Sequence, residues 1–257
     1  MQVGLIGAGN MARALARGWG EPLLCSDSGS GRARALVAEL GGEALSNREL
    51  AERADVIVLC HKPYQLEHVA KEIGDPEKPI ASVLGATPSQ QLQRAYPKSQ
   101  VFALMPNTPV EVRRGVIVYA EPERETATDG GAENEVLELF GRLGTVVRLP
   151  ERLLDVATAV TGVGPAYQAL LAEAQIDAAV RHGIPAPLAS RLVVETITGT
   201  AELLAQRDYD TLAVRREVTS PGGSTARGLD ALERSGIRSA FQDAIDAVVR
   251  PPGGQAR

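Results

Sequence analysis

Residues 2–19, QVGLIGAGNMARALARGW, admit few folds. A short apolar run meets a glycine-rich turn, and Met11, Leu15 and Trp19 then recur at helical spacing, so the stretch reads as strand, turn and helix. In the G-x-G-x-x-A set by Gly7, Gly9 and Ala12, the first glycine permits a tight turn and the second lets backbone approach a pyrophosphate. Ala12 is small enough for the helix to pack closely on the strand. The helix start offers free N–H groups and the positive end of its dipole to phosphates. A glycine match in isolation says little; because this one follows a strand and opens a βαβ pattern, a dinucleotide is expected rather than a purely structural turn.

The rhythm continues. LLCSD reads as a second strand, GRARALVAELG as a helix closed by Gly41, and ADVIVLC as a strand buried on both faces, since its apolar residues hardly alternate. PIASVL and QVFALMP follow in the same manner. Strands alternating with helices imply a doubly wound, mainly parallel sheet covered on both faces. After about Pro150 the pattern changes: RLLDVATAV, GPAYQALLAEAQIDAAVRHG, PAPLASRLVVETITGTAELLAQ and RSAFQDAIDAVVR all favour helices. Pro165 suits the first turn of its helix, Gly183 the position just past its end, and Pro185 with Pro187 the start of the next. The expected fold is an α/β Rossmann-like dinucleotide-binding domain, residues 1–150, followed by an all-α domain, residues 151–257. A helical domain of small residues completes its core by dimerising, so an oligomer is expected, with Leu170, Leu192 and Val193 in the core or the dimer interface.

Composition narrows the function. With 257 residues, 44% hydrophobic and 23% charged, the balance is that of an ordered globular chain, the PPGGQAR tail excepted. A net charge of -5 argues against nucleic acid as the partner. Cys25 and Cys60 form no C-x-x-C pair and the three histidines are scattered, so no metal site is implied. No apolar stretch of roughly 18 residues and no leader pattern stands in the sequence, which reads as a cytoplasmic protein with no membrane partner.

The nicotinamide preference turns on the end of the second strand. Asp27 can accept from a ribose 2'-hydroxyl, which favours NAD. Ser26, Ser28, Ser30, Arg32 and Arg34 around it suit a 2'-phosphate, which favours NADP, provided Asp27 turns away; the balance tips slightly to NADP. The same serines and arginines also suit a capped loop with solvated charges.

Three further stretches stand in order after the glycine turn: HKPYQL, MPNTPVEVRRGV, and TGVGPAYQALLAEA followed by VTSPGGSTARGL. Together, over nearly the whole chain, they resemble the pyrroline-5-carboxylate reductase family. The resemblance implies a Rossmann-like domain followed by a helical dimerisation domain, in homodimers or rings of dimers. It implies hydride transfer from NAD(P)H to the C=N bond of 1-pyrroline-5-carboxylate, giving L-proline. Carried over by motif, the cofactor residues are Ile6, Gly7, Ala8, Gly9, Asn10 and Met11, then Asn47, then Cys60, His61, Lys62 and Pro63, then Ser82, Val83 and Leu84. Ser26 joins them at the second strand end. Cys60 and His61 depart from the small apolar residues usual in the family, and VRREV departs from its usual pattern ahead of the SPGG turn.

A small cyclic imino acid carries a carboxylate, and SPGGST suits an anion without charged side chains. Gly222 and Gly223 let backbone come close, successive N–H groups form a nest, and a following helix adds its dipole. Ser220, Ser224 and Thr225 add hydroxyl donors, and Thr225 is the candidate catalytic residue, donating a hydrogen bond near the ring nitrogen. The structural alternative has Ser224 or Thr225 capping a helix that starts near Ala226. Tyr167 is expected in the helical core, His68 and His182 on helix surfaces, and Lys62 to act through its backbone; Glu173 either faces the site or caps a polar patch. Two rivals remain, a related reductase of six-membered cyclic imines and a non-catalytic relative that binds a dinucleotide and reports redox state.

Overall fold

A computed structural model of the chain describes residues 1–121 and 130–249. The PPGGQAR tail lies outside the described residues. The chain divides into two compact units, Met1–Pro165 and Ala166–Arg257.

In the first unit β1 (Val3–Ile6), β2 (Leu23–Ser26), β3 (Gly42–Ala44), β4 (Val56–Leu59), β5 (Ile80–Ser82), β6 (Val101–Pro106), β7 (Gly115–Glu121) and β8 (Gly144–Pro150) form one sheet. Their order is β3-β2-β1-β4-β5-β6-β7-β8. Neighbours run parallel except β6 and β7. The connecting helices are α1 (Asn10–Trp19), α2 (Arg32–Leu40), α3 (Asn47–Arg53), α4 (Leu66–Ile73), α5 (Ser89–Ala95) and α6 (Gly130–Gly141), and α7 (Leu154–Thr161) follows the last strand and packs on β7.

The apolar run of β4 fails to alternate because both its faces are covered. Val58 joins Leu5, Leu15, Trp19 and Phe140 on one side, while Ile57 and Leu59 join Ile6, Leu50, Leu66 and Leu92 on the other. Each fully buried leucine or isoleucine contributes about 1.5–3 kcal/mol of transfer free energy. Trp19 also satisfies its indole N–H, which donates to Leu139 O at 3.0 Å, and meets Phe140 edge-on at 5.6 Å.

Strands β3, β7 and β8 add to the expected set. A 3-10 turn, Thr108–Val112, stands where a crossover helix would otherwise join β6 to its neighbour, so β7 returns antiparallel. β8 ends at Pro150, and the first compact unit runs on beyond it through α7 to Pro165.

The second unit holds most of α8 (Gly164–Arg181), then α9 (Ala186–Gln206), α10 (Thr211–Glu217), α11 (Ser224–Arg234) and α12 (Ile237–Val249). Pro165 lies in the first turn of α8, Gly183 follows its end, and Pro185 and Pro187 flank the start of α9. Asp210 caps α10, accepting from the amides of Leu212 and Ala213. Tyr167 is half-buried, edge-on to Phe241 at 6.3 Å. Among the described residues of this unit only Ala189 and Val214 are buried. Leu170 is 64% and Leu192 50% exposed, so neither is core within one chain; Val193 is half-buried. Among the described residues no helix is long and apolar enough to cross a membrane.

Candidate functional site

Four strands end level at one edge of the sheet. Ile6 pairs with Ser26 and with Leu59, and Leu59 pairs with Ser82, so β1, β2, β4 and β5 release their following loops side by side. The order reverses between β1 and β4, which is where an open α/β sheet leaves a crevice. A cavity of about 760 Å³ lies there, lined by Ile6 to Gly9, Asp27, Asn47, Cys60 to Lys62 and residues of α4. That volume suits a cofactor.

The glycine turn divides its tasks as the sequence implies. Gly7 has φ +106°, and a Cβ there would stand 2.8 Å from the Cys60 carbonyl and the His61 amide. Gly9 is the cap residue of α1, and a Cβ on it would meet nothing within 4 Å. That space lets a ligand touch backbone. Arg13 N donating to Gly9 O begins the helical ladder, so the amides of Asn10, Met11 and Ala12 precede it and face a phosphate position. These features fit a dinucleotide.

Asp27 is occupied by its own loop. Its carboxylate accepts from Gly29 N at 2.9 Å, Ser30 Oγ at 2.8 Å and Ala33 N at 2.9 Å. Partial burial pushes its pKa up, but these hydrogen bonds outweigh that and hold the group below the ordinary carboxylate value. Ser28, Ser30 and Arg32 line the cavity beside it, whereas Arg34 is exposed on α2 outside the cavity lining.

Ser26 is buried and donates to Asn47 Oδ1 at 2.6 Å; the Asn47 amide in turn donates to the Glu72 carboxylate. His61 Nδ1 lies 2.9 Å from the Lys62 carbonyl, which can only accept, so Nδ1 carries the hydrogen. Its Nε2 is buried without a partner, and burial lowers the ring's pKa. Lys62 N donates to Gln65 Oε1 at 3.0 Å, while its side chain is exposed. Asn10, Met11, Ser26 and Pro63 border the cavity residues without lining it. Ser82, Val83 and Leu84 follow at the neighbouring strand end, with Leu84 N donating to Ser82 Oγ at 3.3 Å. Arg48, Tyr64, His68 and Glu72 also line the cavity, and none of them belongs to the cofactor set expected from sequence. His68 pairs with Glu72 at 3.2 Å on the exposed side of α4.

Asn107 of the MPNTPVEVRRGV stretch is buried and structural. Its Oδ1 accepts from Val116 N at 2.8 Å and its Nδ2 donates to Thr161 O at 3.0 Å, tying the end of β6 to β7 and α7.

In the second unit SPGG forms a type II turn: Gly223 N donates to Ser220 O at 3.1 Å, Pro221 holds the second position, and Gly222 takes φ +68° at the third. A Cβ on Gly223 would stand 2.4 Å from Ser220 Oγ. Two expectations are corrected. Helix α11 begins at Ser224 with Gly223 as its cap residue, and no side-chain oxygen caps it, because the turn delivers the chain into the helix two residues earlier than expected. The Gly223 amide is spent inside the turn, so the donors ahead of the helical ladder are those of Ser224, Thr225 and Ala226; the first ladder bond runs from Arg227 N to Gly223 O at 3.2 Å. Thr225 is half-buried there, Ser220 and Ser224 are exposed, and Glu173 and His182 are exposed on their helices.

Known proteins share both units. The model described as "NADP oxidoreductase coenzyme F420-dependent" matches residues 2–85, and that described as "Pyrroline-5-carboxylate reductase dimerisation" matches residues 151–251. Pyrroline-5-carboxylate reductase of Synechocystis sp. is 34% identical over 97% of this chain and 96% of its own length. The Glycine max protein of that name is 31% identical over 96% and 93%. Among solved structures, Plasmodium falciparum pyrroline carboxylate reductase with NADP bound superposes with a TM-score of 0.84 at 28% identity, over 97% of this chain and 95% of that one. The Streptococcus pyogenes 1-pyrroline-5-carboxylate reductase gives 0.85 at 27%, over 97% and 96%. The chain belongs to the pyrroline-5-carboxylate reductase family.

Proposed function

We propose that this protein reduces 1-pyrroline-5-carboxylate to L-proline with NADPH. The observation that carries the reading is the presence, in one chain of this family, of an open backbone cradle at Gly7–Gly9 and a type II turn at Ser220–Gly223 that opens a helix. When bound, NADPH supplies the hydride for the imine carbon. The protein's own residues then have three tasks. The α1 amides and the space over Gly9 hold the pyrophosphate; Ser28 and Arg32 hold the 2'-phosphate while Asp27 is turned into its loop, where the Ser30 hydroxyl donates to it. The amides of Ser224, Thr225 and Ala226 hold the substrate carboxylate. The Thr225 hydroxyl donates to the lone pair of the neutral imine nitrogen and, once that nitrogen has taken a proton from water, accepts from the iminium N–H; the protonated ring accepts the hydride readily.

NADP is bound in the Plasmodium relative, and the spent Asp27 carboxylate supports the same choice here. The exposed leucines of α8 and α9 support assembly as a homodimer, or a ring of dimers, through the helical domain of residues 151–257. Net charge -5 supports a small-molecule enzyme rather than one whose partner is nucleic acid or an anionic membrane surface.

The test follows NADPH and NADH absorbance separately with purified protein and 1-pyrroline-5-carboxylate. Faster oxidation of NADPH is expected. Preference for a six-membered ring would move the protein to the related imine reductases, and tight NADPH binding with no imine reduced would make it a non-catalytic relative.

A further inference from the structure

Arg227 stands on the first turn of α11, the positive end of a helix dipole, where a cation is disfavoured. No carboxylate pairs with it among the described residues, whereas Arg207, Arg234 and Arg238 of the same unit pair with Glu217, Asp230 and Glu233. Its guanidinium donates instead to the Gly222 carbonyl at 2.8 Å. That carbonyl belongs to the third residue of the type II turn, the one held at φ +68°. One of the five guanidinium donors is thus committed to the turn. The hydrogen bond ties a positive charge to the turn that leads into the amides of Ser224, Thr225 and Ala226.

We infer that Arg227 is a specificity-determining residue: it braces the SPGG turn and supplies the positive charge that selects a cyclic imine bearing a carboxylate over one without. The inference rests on the reading of this turn as the carboxylate cradle. Backbone amides alone would give a neutral site; with Arg227 the site carries a net positive charge and the unfavourable placement of the cation is relieved when the anion arrives. The guanidinium is exposed, so the effect is moderate and falls as salt screens it.

The experiment compares kcat/KM for 1-pyrroline-5-carboxylate with kcat/KM for 1-pyrroline, the same ring without the carboxylate, in wild type and in Arg227→Gln, Arg227→Ala and Arg227→Lys. NADPH affinity by fluorescence titration accompanies each. The preference for the carboxylated ring should fall about three- to tenfold in Arg227→Gln and Arg227→Ala, through KM rather than kcat. Arg227→Lys should restore most of it, and raising ionic strength should shrink the wild-type preference but not that of Arg227→Gln. A preference unchanged in both Gln and Ala variants overturns the inference, as does an equal loss on both rings. Gly223→Ala, which forces Ser220 aside, separates the two levels of the argument. If it raises KM for the carboxylated ring while the Arg227 variants do not, the cradle stands and the role of Arg227 falls; if neither changes KM, the cradle reading itself fails.

Discussion

The Asp27 carboxylate accepts the amide hydrogen of Ala33 at 2.9 Å, so the acidic side chain at the end of β2 serves the start of α2 rather than a ribose. Arg32 and Ser28 are left to meet a phosphate, the Ser30 hydroxyl being committed to Asp27. Arg32→Ala should raise KM for NADPH about three- to tenfold and change KM for NADH much less, as read from initial rates with each cofactor. Asp27→Ala should lower stability by about 1 kcal/mol through loss of the helix cap, measured by denaturant titration without cofactor.

Gly7 and Gly9 should respond differently to the same methyl group. Gly9→Ala meets open space, so the free protein should keep its Tm while NADPH Kd rises about tenfold or more, because the methyl occupies the ligand's approach. Gly7→Ala meets the Cys60 backbone from a positive φ, and the free protein itself should lose Tm. Differential scanning fluorimetry with and without NADPH distinguishes the two.

His61 ties stability to pH. Burial lowers its pKa below the ordinary 6.5, so the folded chain holds this proton less tightly than the unfolded one. Its contribution is therefore fully present above pH 6.5, falls as pH drops toward the folded pKa, and levels off below that. The Tm of wild type should decline more steeply between about pH 7.5 and 5 than that of His61→Asn.

The helical unit leaves large apolar side chains exposed in the single chain. Leu170 and Leu192 are at least half exposed in the single chain. Glutamate at both positions should leave the sheet unit folded by circular dichroism and shift the assembly to smaller species in sedimentation velocity, since charge at an apolar interface is costly to desolvate.

Much of the fold is legible in the sequence because the local signals are strong. The run IVLC reads as a doubly covered strand, and Pro165, Gly183 and Pro187 mark helix ends through backbone rules that need no tertiary context. β7 and β8 escape such a reading because the alternation breaks after β6: a 3-10 turn replaces the helix, and β8 alternates weakly on an exposed edge. β3 is three exposed residues with no apolar pattern to read. In the site, Gly7 and Gly9 carry their chemistry in the backbone and are readable from spacing. Tyr64, Arg48 and Glu72 come from separate segments that meet only at the folded sheet edge. The Ser220–Gly223 turn is visible as composition, but only geometry shows that the Gly223 amide is consumed within it and that the free donors begin one residue later.

The most direct measurement is a crystal structure with NADPH and L-proline bound. The proline carboxylate is expected within about 3 Å of the amides of Ser224, Thr225 and Ala226, with the Thr225 hydroxyl near the ring nitrogen. Proline seated elsewhere, with these amides facing only solvent, would contradict the account.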